Sequence, residues 1–163
     1  MRVVVPFTKI ADETREALDA SGYPWEAIDV SDSLTAYWEL LSDLWGFQSD
    51  LCIVEHDIVV GPDTLKSFDE CPNLWCGSPY PYLSGTYAGL GCTRFRAAFM
   101  VDLPTAVEIA GRREYPNHGQ FHWCVLDDSL KRVFAEHKKT MCMHLPVDHV
   151  GDQMPTHEVC RPR

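Results

Sequence analysis

Residues 50–62 read Asp-Leu-Cys-Ile-Val-Glu-His-Asp-Ile-Val-Val-Gly-Pro, and this stretch decides the fold that the sequence predicts. Its apolar run, residues 51–54, contains two β-branched members and is typical of a strand buried on both faces. The run ends abruptly in Glu55, His56 and Asp57. In open α/β sheets, ligands bind beyond the carboxyl ends of such strands. We therefore expect a binding site at this strand end.

The chemistry of the strand end points to a metal and a diphosphate. Carboxylate oxygens with one imidazole suit Mg²⁺ or Mn²⁺, and these ions commonly bridge a protein carboxylate to the phosphates of a substrate. The alternative is an ordinary solvated acidic turn. Apolar residues resume at once, however, in Ile58, Val59 and Val60. Burying charges inside such a segment is costly unless a cation compensates them, which favours the metal site.

The bulk composition is that of one globular domain. The chain has 163 residues, of which 45% are hydrophobic and 23% charged. No apolar run approaches the ~20 residues that span a bilayer, and the apolar start of the chain stops at Pro6, so it predicts a first strand and not a secretory signal. Seven cysteines, with no Cys-x-x-Cys among them, favour reduced thiols. The expected compartment is the cytoplasm.

The net charge of −10 is distributed unevenly. Residues 1–93 contain four basic and fifteen acidic residues, whereas residues 94–163 contain ten basic and nine acidic ones. Most of the later basic residues occur in pairs, which are Arg94 with Arg96, Arg112 with Arg113, Lys131 with Arg132, and Lys138 with Lys139. They could line a face for an anionic acceptor, although paired basic residues on helices are more often simply solvated.

The first half of the chain alternates strand and helix patterns. Residues 3–5 predict a strand, residues 12–20 a helix closed by Gly22, and residues 25–30 a second strand. An aromatic-rich stripe then recurs at helical spacing from Leu34 to Trp45. Most of this stripe is expected to pack on the sheet, while Tyr37 or Trp38 at its edge could instead face a base or sugar. This order predicts an α/β fold.

The second half offers an irregular stretch and a glycine-bearing strand. Residues 78–86 are predicted to be a lid or an ordinary connection. Residues 87–92 are predicted to form a strand in which Gly89 and Gly91 leave bare backbone on one face, and a helix is predicted from Thr93 onward. Close approach of a flat ligand and tight packing against another element explain the two glycines equally well.

A later helix carries Leu126, Leu130 and Phe134 on its apolar face. At 100° per residue, Asp127 lies at the edge of that face, and Asp128 points nearly opposite to it. Partial burial can raise the pKa of Asp127 toward the range of a general base. The alternative is a favourable interaction with the helix dipole, which needs no chemistry.

Two histidines lie within and just after a strand-like segment over residues 140–145. His144 and His149 lie five residues apart around a proline. A neutral imidazole from either could complete a metal site begun by Asp57.

The order of these features resembles the nucleotide-sugar glycosyltransferases of GT-A fold, in the compact form found in bacteria and bacteriophages. The resemblance rests on the N-terminal strand and helix, the glycine-bearing strand, the acidic helix start, the late histidine, and a strand that ends in Glu55-His56-Asp57 like the family's Asp-x-Asp motif. Glu stands here in place of the first Asp. The resemblance implies a single-domain, Rossmann-like GT-A sandwich over residues 1–152, with a mostly parallel central sheet flanked by helices, and a tail over residues 153–163.

The resemblance also implies roles for individual residues. Asp57 would bind the metal directly, Glu55 would hold the ribose or a metal-bound water, and His149, or else His144, would be the distal metal ligand. Asp127 would match the catalytic base of inverting members. The other donor-binding residues would be Phe7 and Thr8 near the nucleotide base, together with His56 and Gly89.

The implied activity is metal-dependent transfer of a sugar from a nucleotide-diphosphate donor to an acceptor hydroxyl, with inversion, and the implied cofactor is Mn²⁺ or Mg²⁺. The acceptor would be a sugar, a protein side chain or, in a phage, a hydroxylated DNA base. Acceptor contacts would come from residues 78–87, from the basic second half, or from a second subunit in a homo-oligomer. For a phage protein the compartment would be the host cytoplasm.

Three alternatives stay open at this point. A nucleotidyltransferase would use a similar acidic metal site, but no glycine-rich phosphate loop follows the first strand. A non-catalytic α/β binding domain could be stabilised by zinc, although the spacings of its candidate ligands fit no standard zinc pattern well. Those candidates are Cys142, His144, His149, His157 and Cys160. The third alternative is an α/β domain with no active site.

Overall fold

The computed structural model describes residues 1–82, 85–113 and 120–150. The strands are β1 (Arg2–Phe7), β2 (Trp25–Asp29), β3 (Leu51–Val54), β4 (Ile58–Val59), β5 (Trp75–Gly77), β6 (Tyr80–Tyr82), β7 (Gly85–Tyr87), β8 (Cys92–Phe95), β9 (Cys142–Met143) and β10 (Asp148–His149). The helices are α1 (Asp12–Ala20), α2 (Ala36–Trp45), α3 (Thr64–Glu70), α4 (Ala97–Asp102), α5 (Ala106–Gly111) and α6 (Leu126–Glu136). A 3-10 turn, Trp123–Val125, precedes α6.

Six strands form a central sheet in the order β2-β1-β3-β8-β5-β9. β1 is parallel to β2 and β3, and β5 is parallel to β9, whereas β8 is antiparallel to both of its neighbours. Only β8 therefore runs against the others in this sheet of the described residues. The predicted mostly parallel sheet is confirmed. Two small antiparallel pairs, β4 with β10 and β6 with β7, lie outside it.

Helices cover both faces of the sheet. Because successive strand residues point to opposite faces, Val4 and Ile53 join an apolar cluster with α2, α4, α5 and α6. Val3, Val5 and Cys52 join a second cluster with α1 and α3. The central strands are thus buried on both sides, as the apolar run of residues 51–54 predicted. The resulting three layers leave the strand ends free to form a site.

The first half of the chain follows the predictions closely. α1 has the predicted bounds, and α2 ends at Trp45 directly before Gly46. Two predictions for the second half are wrong. Residues 88–91 are a loop, and Thr93 lies in a strand because Cys92–Phe95 pairs with β3 on one side and β5 on the other. Such tertiary pairing overrides the local pattern. The stretch expected to be irregular contains the paired strands β6 and β7.

Several basic residues are buried or form salt bridges within the chain. Arg94 is fully buried, so the predicted acceptor-facing surface is wrong for this residue. Arg113 forms a salt bridge with Glu136, and Lys139 forms one with Asp102.

Five cysteines have side chains that the structure describes, and all five are free thiols. No helix of the described residues is long and apolar enough to cross a membrane. The predicted tail, residues 153–163, lies outside the described residues.

Candidate active site

A cleft of about 770 Å³ opens at the edge of the sheet where the parallel strands end. Its walls come from the end of β1 and the residues that follow β1, β2 and β3, from α2, from the 3-10 turn and first turn of α6, and from β6, β7 and β10. The lining residues are Pro6, Thr8, Val30, Ser31, Ser33, Leu34, Tyr37, Glu55, His56, Asp57, Tyr80, Tyr87, Trp123, Leu126, Asp127, Asp128 and His149. Glu55, His56 and Asp57 therefore lie in a cleft of the size that small-molecule ligands occupy.

Asp57 and His149 meet at the floor of this cleft. Asp57 Oδ2 lies 3.1 Å from His149 Nε2. The other polar atoms of the two side chains, Asp57 Oδ1 and His149 Nδ1, are buried without a hydrogen-bond partner among the described residues. A buried polar atom without a partner is costly. The pair therefore offers a carboxylate and an imidazole, with unsatisfied atoms, as ligands for a divalent cation.

Glu55 shares this acidic environment and is held by Tyr37. The Tyr37 hydroxyl donates a hydrogen bond of 3.1 Å to Glu55 Oε1. Burial, followed by the negative charges of Asp127 and Asp57, raises the pKa of Glu55 to about 8, although the hydrogen bond from Tyr37 opposes this change. Burial, followed by the negative charge of Glu55, also raises the pKa of Tyr37 well above its usual value. Without a bound cation, Glu55 is mostly protonated at neutral pH.

Asp127 lies in the first turn of α6 and faces the cleft, whereas Asp128 is exposed. This difference in exposure is the one that the helical spacing predicted. The backbone N–H of Leu90 donates to Asp127 Oδ1 at 2.8 Å. Burial raises the pKa of Asp127, although the Leu90 N–H and the charge of Lys131 oppose this effect. Asp127 is thus a fixed carboxylate with a raised proton affinity, as a general base requires.

The two glycines of the 88–91 loop make room for side chains of the site. A Cβ on Gly89 would overlap Asp127 Oδ2, and a Cβ on Gly91 would lie 2.6 Å from Tyr80 Cε1. Of the two explanations that the sequence left open, the structure therefore favours tight packing. Gly89 does not line the cleft. Its predicted contact with the donor stays a prediction, and the geometry gives it a role in positioning Asp127.

An aromatic group covers one side of the acidic residues. The Tyr80 ring stacks on the His149 ring at 5.8 Å between centroids and meets the Tyr87 ring edge to face at 5.9 Å. Lys131 Nζ lies 3.6 Å from the centroid of the Tyr87 ring, which is a cation–π contact. The stacked Tyr80 ring therefore helps to fix the orientation of the His149 ring.

The remaining predicted residues fall in different places. Thr8 and His56 line the cleft, while Phe7 is the last residue of β1 and does not line it. His144 also lies outside the cleft. Its Nδ1 is 2.9 Å from Ser67 Oγ, and its nearest potential metal ligands are Cys71 and Cys76. The geometry therefore favours His149 over His144 as the partner of Asp57.

The sequence did not single out Tyr80 or Tyr87 as site residues, and it offered Lys131 only as part of a basic pair that could line an acceptor face. Tyr80 lies in the stretch predicted to be a lid or a connection, Tyr87 begins the predicted strand after it, and three tyrosines within residues 80–87 are the available signal. Tyr37 was recognised as an aromatic at the edge of α2, but its hydrogen bond to Glu55 depends on the packing of α2 against the end of β3.

Comparison with known proteins bears on the fold. No protein-family model matches the chain, and no curated protein matches it. Among solved structures, the chain is similar to "crystal structure of a glycosyltransferase involved in the glycosylation of the major capsid of PBCV-1", with a TM-score of 0.54 and 11% sequence identity. The match covers 98% of both chains. This chain has a glycosyltransferase-like fold. At this identity the likeness concerns the fold alone, so the roles of residues must be argued from the site itself.

Proposed function

We propose that the chain is a metal-dependent glycosyltransferase that moves a sugar from a nucleotide-diphosphate donor to an acceptor hydroxyl, with inversion at the anomeric carbon. The observation that carries this proposal is the meeting of Glu55, Asp57, Asp127 and His149 in one cleft of a glycosyltransferase-like fold. A cleft with two carboxylates of raised pKa, here Glu55 and Asp127, is a typical candidate for acid–base chemistry.

The donor is proposed to bind along the ends of β1, β2 and β3. Thr8 and Ser31 offer hydroxyl groups, and Val30 offers an apolar contact, on the side of the cleft that would take the nucleoside. Glu55, which is protonated at neutral pH before the ligand binds, can donate a hydrogen bond to a ribose hydroxyl. The diphosphate would then lie beside Asp57 and His149.

The residues at this position fit a divalent cation. Asp57 and His149 supply ligand atoms 3.1 Å apart, close to the spacing of about 3.0 Å between neighbouring ligands of an octahedral ion with 2.1 Å bonds. Asp57 Oδ1, which is buried without a hydrogen-bond partner among the described residues, is available to the same ion. Mn²⁺ or Mg²⁺ held there supplies positive charge that stabilises the departing diphosphate.

Asp127 is proposed to act as the general base. Its carboxylate accepts the proton of the acceptor hydroxyl while that oxygen forms a bond to the anomeric carbon. The bond between this carbon and the phosphate oxygen breaks, and its electron pair leaves with the nucleoside diphosphate. Attack on the face opposite the leaving group inverts the configuration. The hydrogen bond from Leu90 N–H keeps the carboxylate in position, and its raised pKa favours proton uptake.

A thermal-shift experiment tests the donor site. The full chain is heated with UDP, GDP, dTDP or CMP, each with and without Mn²⁺, and Asp57→Asn and Asp43→Asn are measured alongside. A ligand at 100 times its dissociation constant adds about 2.7 kcal/mol to the free energy of unfolding, which is readily detected. We expect one nucleotide to raise the melting temperature in the presence of Mn²⁺, in the wild type and in Asp43→Asn, whose substituted residue is exposed and lies on α2.

Two results would count against the proposal. The donor site would be wrong if no nucleotide raised the melting temperature under any condition. The metal assignment would be wrong if Asp57→Asn kept the full Mn²⁺-dependent shift. Release of free nucleoside diphosphate from the corresponding sugar nucleotide, measured with the same variants, then tests for turnover.

A further inference from the structure

A second group of metal-binding side chains lies outside the cleft, at the edge of the sheet formed by β9. The ligand atoms of Cys71, Cys76 and His144 all lie within 4.8 Å of one another. Cys142 joins them, because its Sγ is 3.9 Å from Cys71 Sγ. We propose that Cys71, Cys76, Cys142 and His144 bind a structural zinc ion. This site is independent of the proposed transferase activity.

The spacing of the sulfur atoms fits a tetrahedral zinc ion. Zinc binds cysteine sulfur at about 2.3 Å, so two sulfurs at neighbouring corners of a tetrahedron lie about 3.8 Å apart. The 3.9 Å between Cys71 Sγ and Cys142 Sγ agrees with this value and is far too long for a disulfide bond. Three sulfurs and one imidazole form a common structural zinc site, and thiolate ligands disfavour Mg²⁺ and Ca²⁺.

His144 is already oriented as a metal ligand. Its Nδ1 lies 2.9 Å from Ser67 Oγ, and its ring packs edge to face against Phe68 at 5.0 Å. Its other nitrogen, Nε2, is buried without a hydrogen-bond partner among the described residues. Histidines that bind metals typically use one ring nitrogen for the metal and fix the other with a hydrogen bond. Nε2 is thus the nitrogen available to zinc.

The charge of Arg94 also fits bound thiolates. Arg94 is fully buried, and its guanidinium donates to Cys76 Sγ at 2.9 Å and to the Cys71 carbonyl at 2.8 Å. No carboxylate of the described residues lies within salt-bridge distance of it. A buried charge is costly unless it is paired. Zinc with three thiolates and a neutral imidazole carries a net charge of −1, which Arg94 would compensate.

Strand pairing brings the four ligands together from distant parts of the chain. Cys76 in β5 is the register partner of Cys142 in parallel β9, and Arg94 is the partner of Cys76 on the other side. Cys71 follows α3 directly, and His144 N–H donates to Gly77 O at 2.9 Å. A zinc ion here would join the end of α3 to a two-residue edge strand that has little pairing of its own.

Metal binding at this site must release protons. Burial opposes ionisation of Cys71, but its hydrogen bond from Asn73 and its contacts with His144 and Cys76 lower its pKa to about 6. Burial raises the pKa of Cys76 to about 12 and also raises that of Cys142. Because zinc binds thiolates, its binding displaces the protons of the thiols that are still protonated to the solvent.

Zinc content is the decisive measurement. The full chain is expressed in zinc-supplemented medium, purified without chelator, and analysed by mass spectrometry of its metals. We expect equimolar zinc in the wild type and less than a tenth of that amount in Cys76→Ala and His144→Ala. The matched controls, Cys92→Ala and Asp43→Asn, should keep their zinc, because Cys92 is a buried thiol outside the cluster and Asp43 is exposed on α2.

Experiments on the wild type keep the test valid if a ligand variant fails to fold. After zinc is removed with a chelator, the melting temperature should fall and should recover on adding Zn²⁺. Co²⁺ in its place should give the visible absorption of a tetrahedral thiolate complex.

Three results would overturn the proposal. They are a zinc-free wild type whose melting temperature ignores added Zn²⁺, full zinc retention in both ligand variants, and a Cys71–Cys142 disulfide in protein alkylated at lysis.

Discussion

Asp57 Oδ2 lies 3.1 Å from His149 Nε2, although the first residue follows β3 and the second ends the last strand described. Backbone pairing brings them together. β10 pairs antiparallel with β4, His149 is the register partner of Ile58, and Val150 N–H donates to Asp57 O at 2.7 Å. The contact therefore depends on the main chain as well as on the side chains, which suits a pair that must hold a cation in a fixed position.

Replacing His149 should weaken metal-dependent donor binding. His149→Ala removes one of the two proposed ligands, and we expect the affinity for Mn²⁺ with nucleoside diphosphate to fall at least about tenfold. Isothermal titration calorimetry measures this change. His137→Ala is the matched control, because His137 is exposed at the end of α6. Equal affinities for the two variants would exclude His149 as a ligand.

Replacing Asp127 should remove catalysis and spare donor binding. Asn at this position keeps an Oδ1 that can accept the hydrogen bond from Leu90 N–H, but it cannot take up a proton. We expect kcat to fall by about 10²- to 10⁴-fold in Asp127→Asn, with the nucleotide thermal shift retained. Asp128→Asn, at the adjacent exposed position, should change kcat less than tenfold. A fully active Asp127→Asn would show that the base lies elsewhere.

Glu55 should make the stability of the metal-free protein depend on pH. Its pKa is raised from 4.5 to about 8 in the folded state, so the folded protein binds this proton more tightly than the unfolded chain does. The resulting stabilisation is fully present below pH 4.5 and is lost as pH rises to about 8. Each pKa unit corresponds to about 1.4 kcal/mol.

Denaturant unfolding of Glu55→Gln tests this expectation. Gln keeps an acceptor for the Tyr37 hydroxyl but does not titrate. The free energy of unfolding of the wild type, relative to Glu55→Gln, should decrease between pH 5 and pH 8. Glu16→Gln serves as the control, because Glu16 is exposed on α1. A difference that stays constant with pH would contradict the raised pKa.

Gly89→Ala should act through Asp127. A Cβ at this position would overlap Asp127 Oδ2 and press against Tyr87, so the carboxylate must move. We expect kcat to fall at least about tenfold, because displacement of a catalytic group is costly even at 1 Å. Gly85→Ala is the matched control, since a Cβ there meets no atom of the described residues within 4 Å. Unchanged activity in Gly89→Ala would mean that the position of Asp127 does not matter.

Local patterns predicted the parts of the fold in which one signal dominates. Residues 51–54 are apolar throughout and form β3, which is buried on both faces. Asp12–Ala20 has helical spacing and is followed by Gly22, and it forms α1. Helical geometry also separated Asp127 from Asp128 correctly. In these cases the determinants lie within a few residues of one another, so they can be read from the sequence.

Features that depend on distant pairing could not be predicted in this way. Thr93 lies in a strand because β3 and β5 flank it, and neither partner is adjacent in sequence. For the same reason, spacing along the sequence groups Cys142 and His144 with later residues as candidate zinc ligands. The structure instead places them beside Cys71 and Cys76. Sequence spacing can identify ligands that lie close together along the chain. This cluster takes Cys76 and Cys142 from the two strands of a parallel pair, which are far apart in sequence.

The reversed direction of β8 has a consequence for how such a protein can diversify. Because β8 runs against β3, the loop that leads into it lies at the same edge as the ends of β1 and β3. The proposed nucleoside contacts then come from one continuous stretch, residues 8–57, whereas His149 beside the diphosphate and the proposed base Asp127 come from a later one. A single recombination event between the two stretches would combine the proposed nucleoside contacts of one parent with the proposed base and His149 of another.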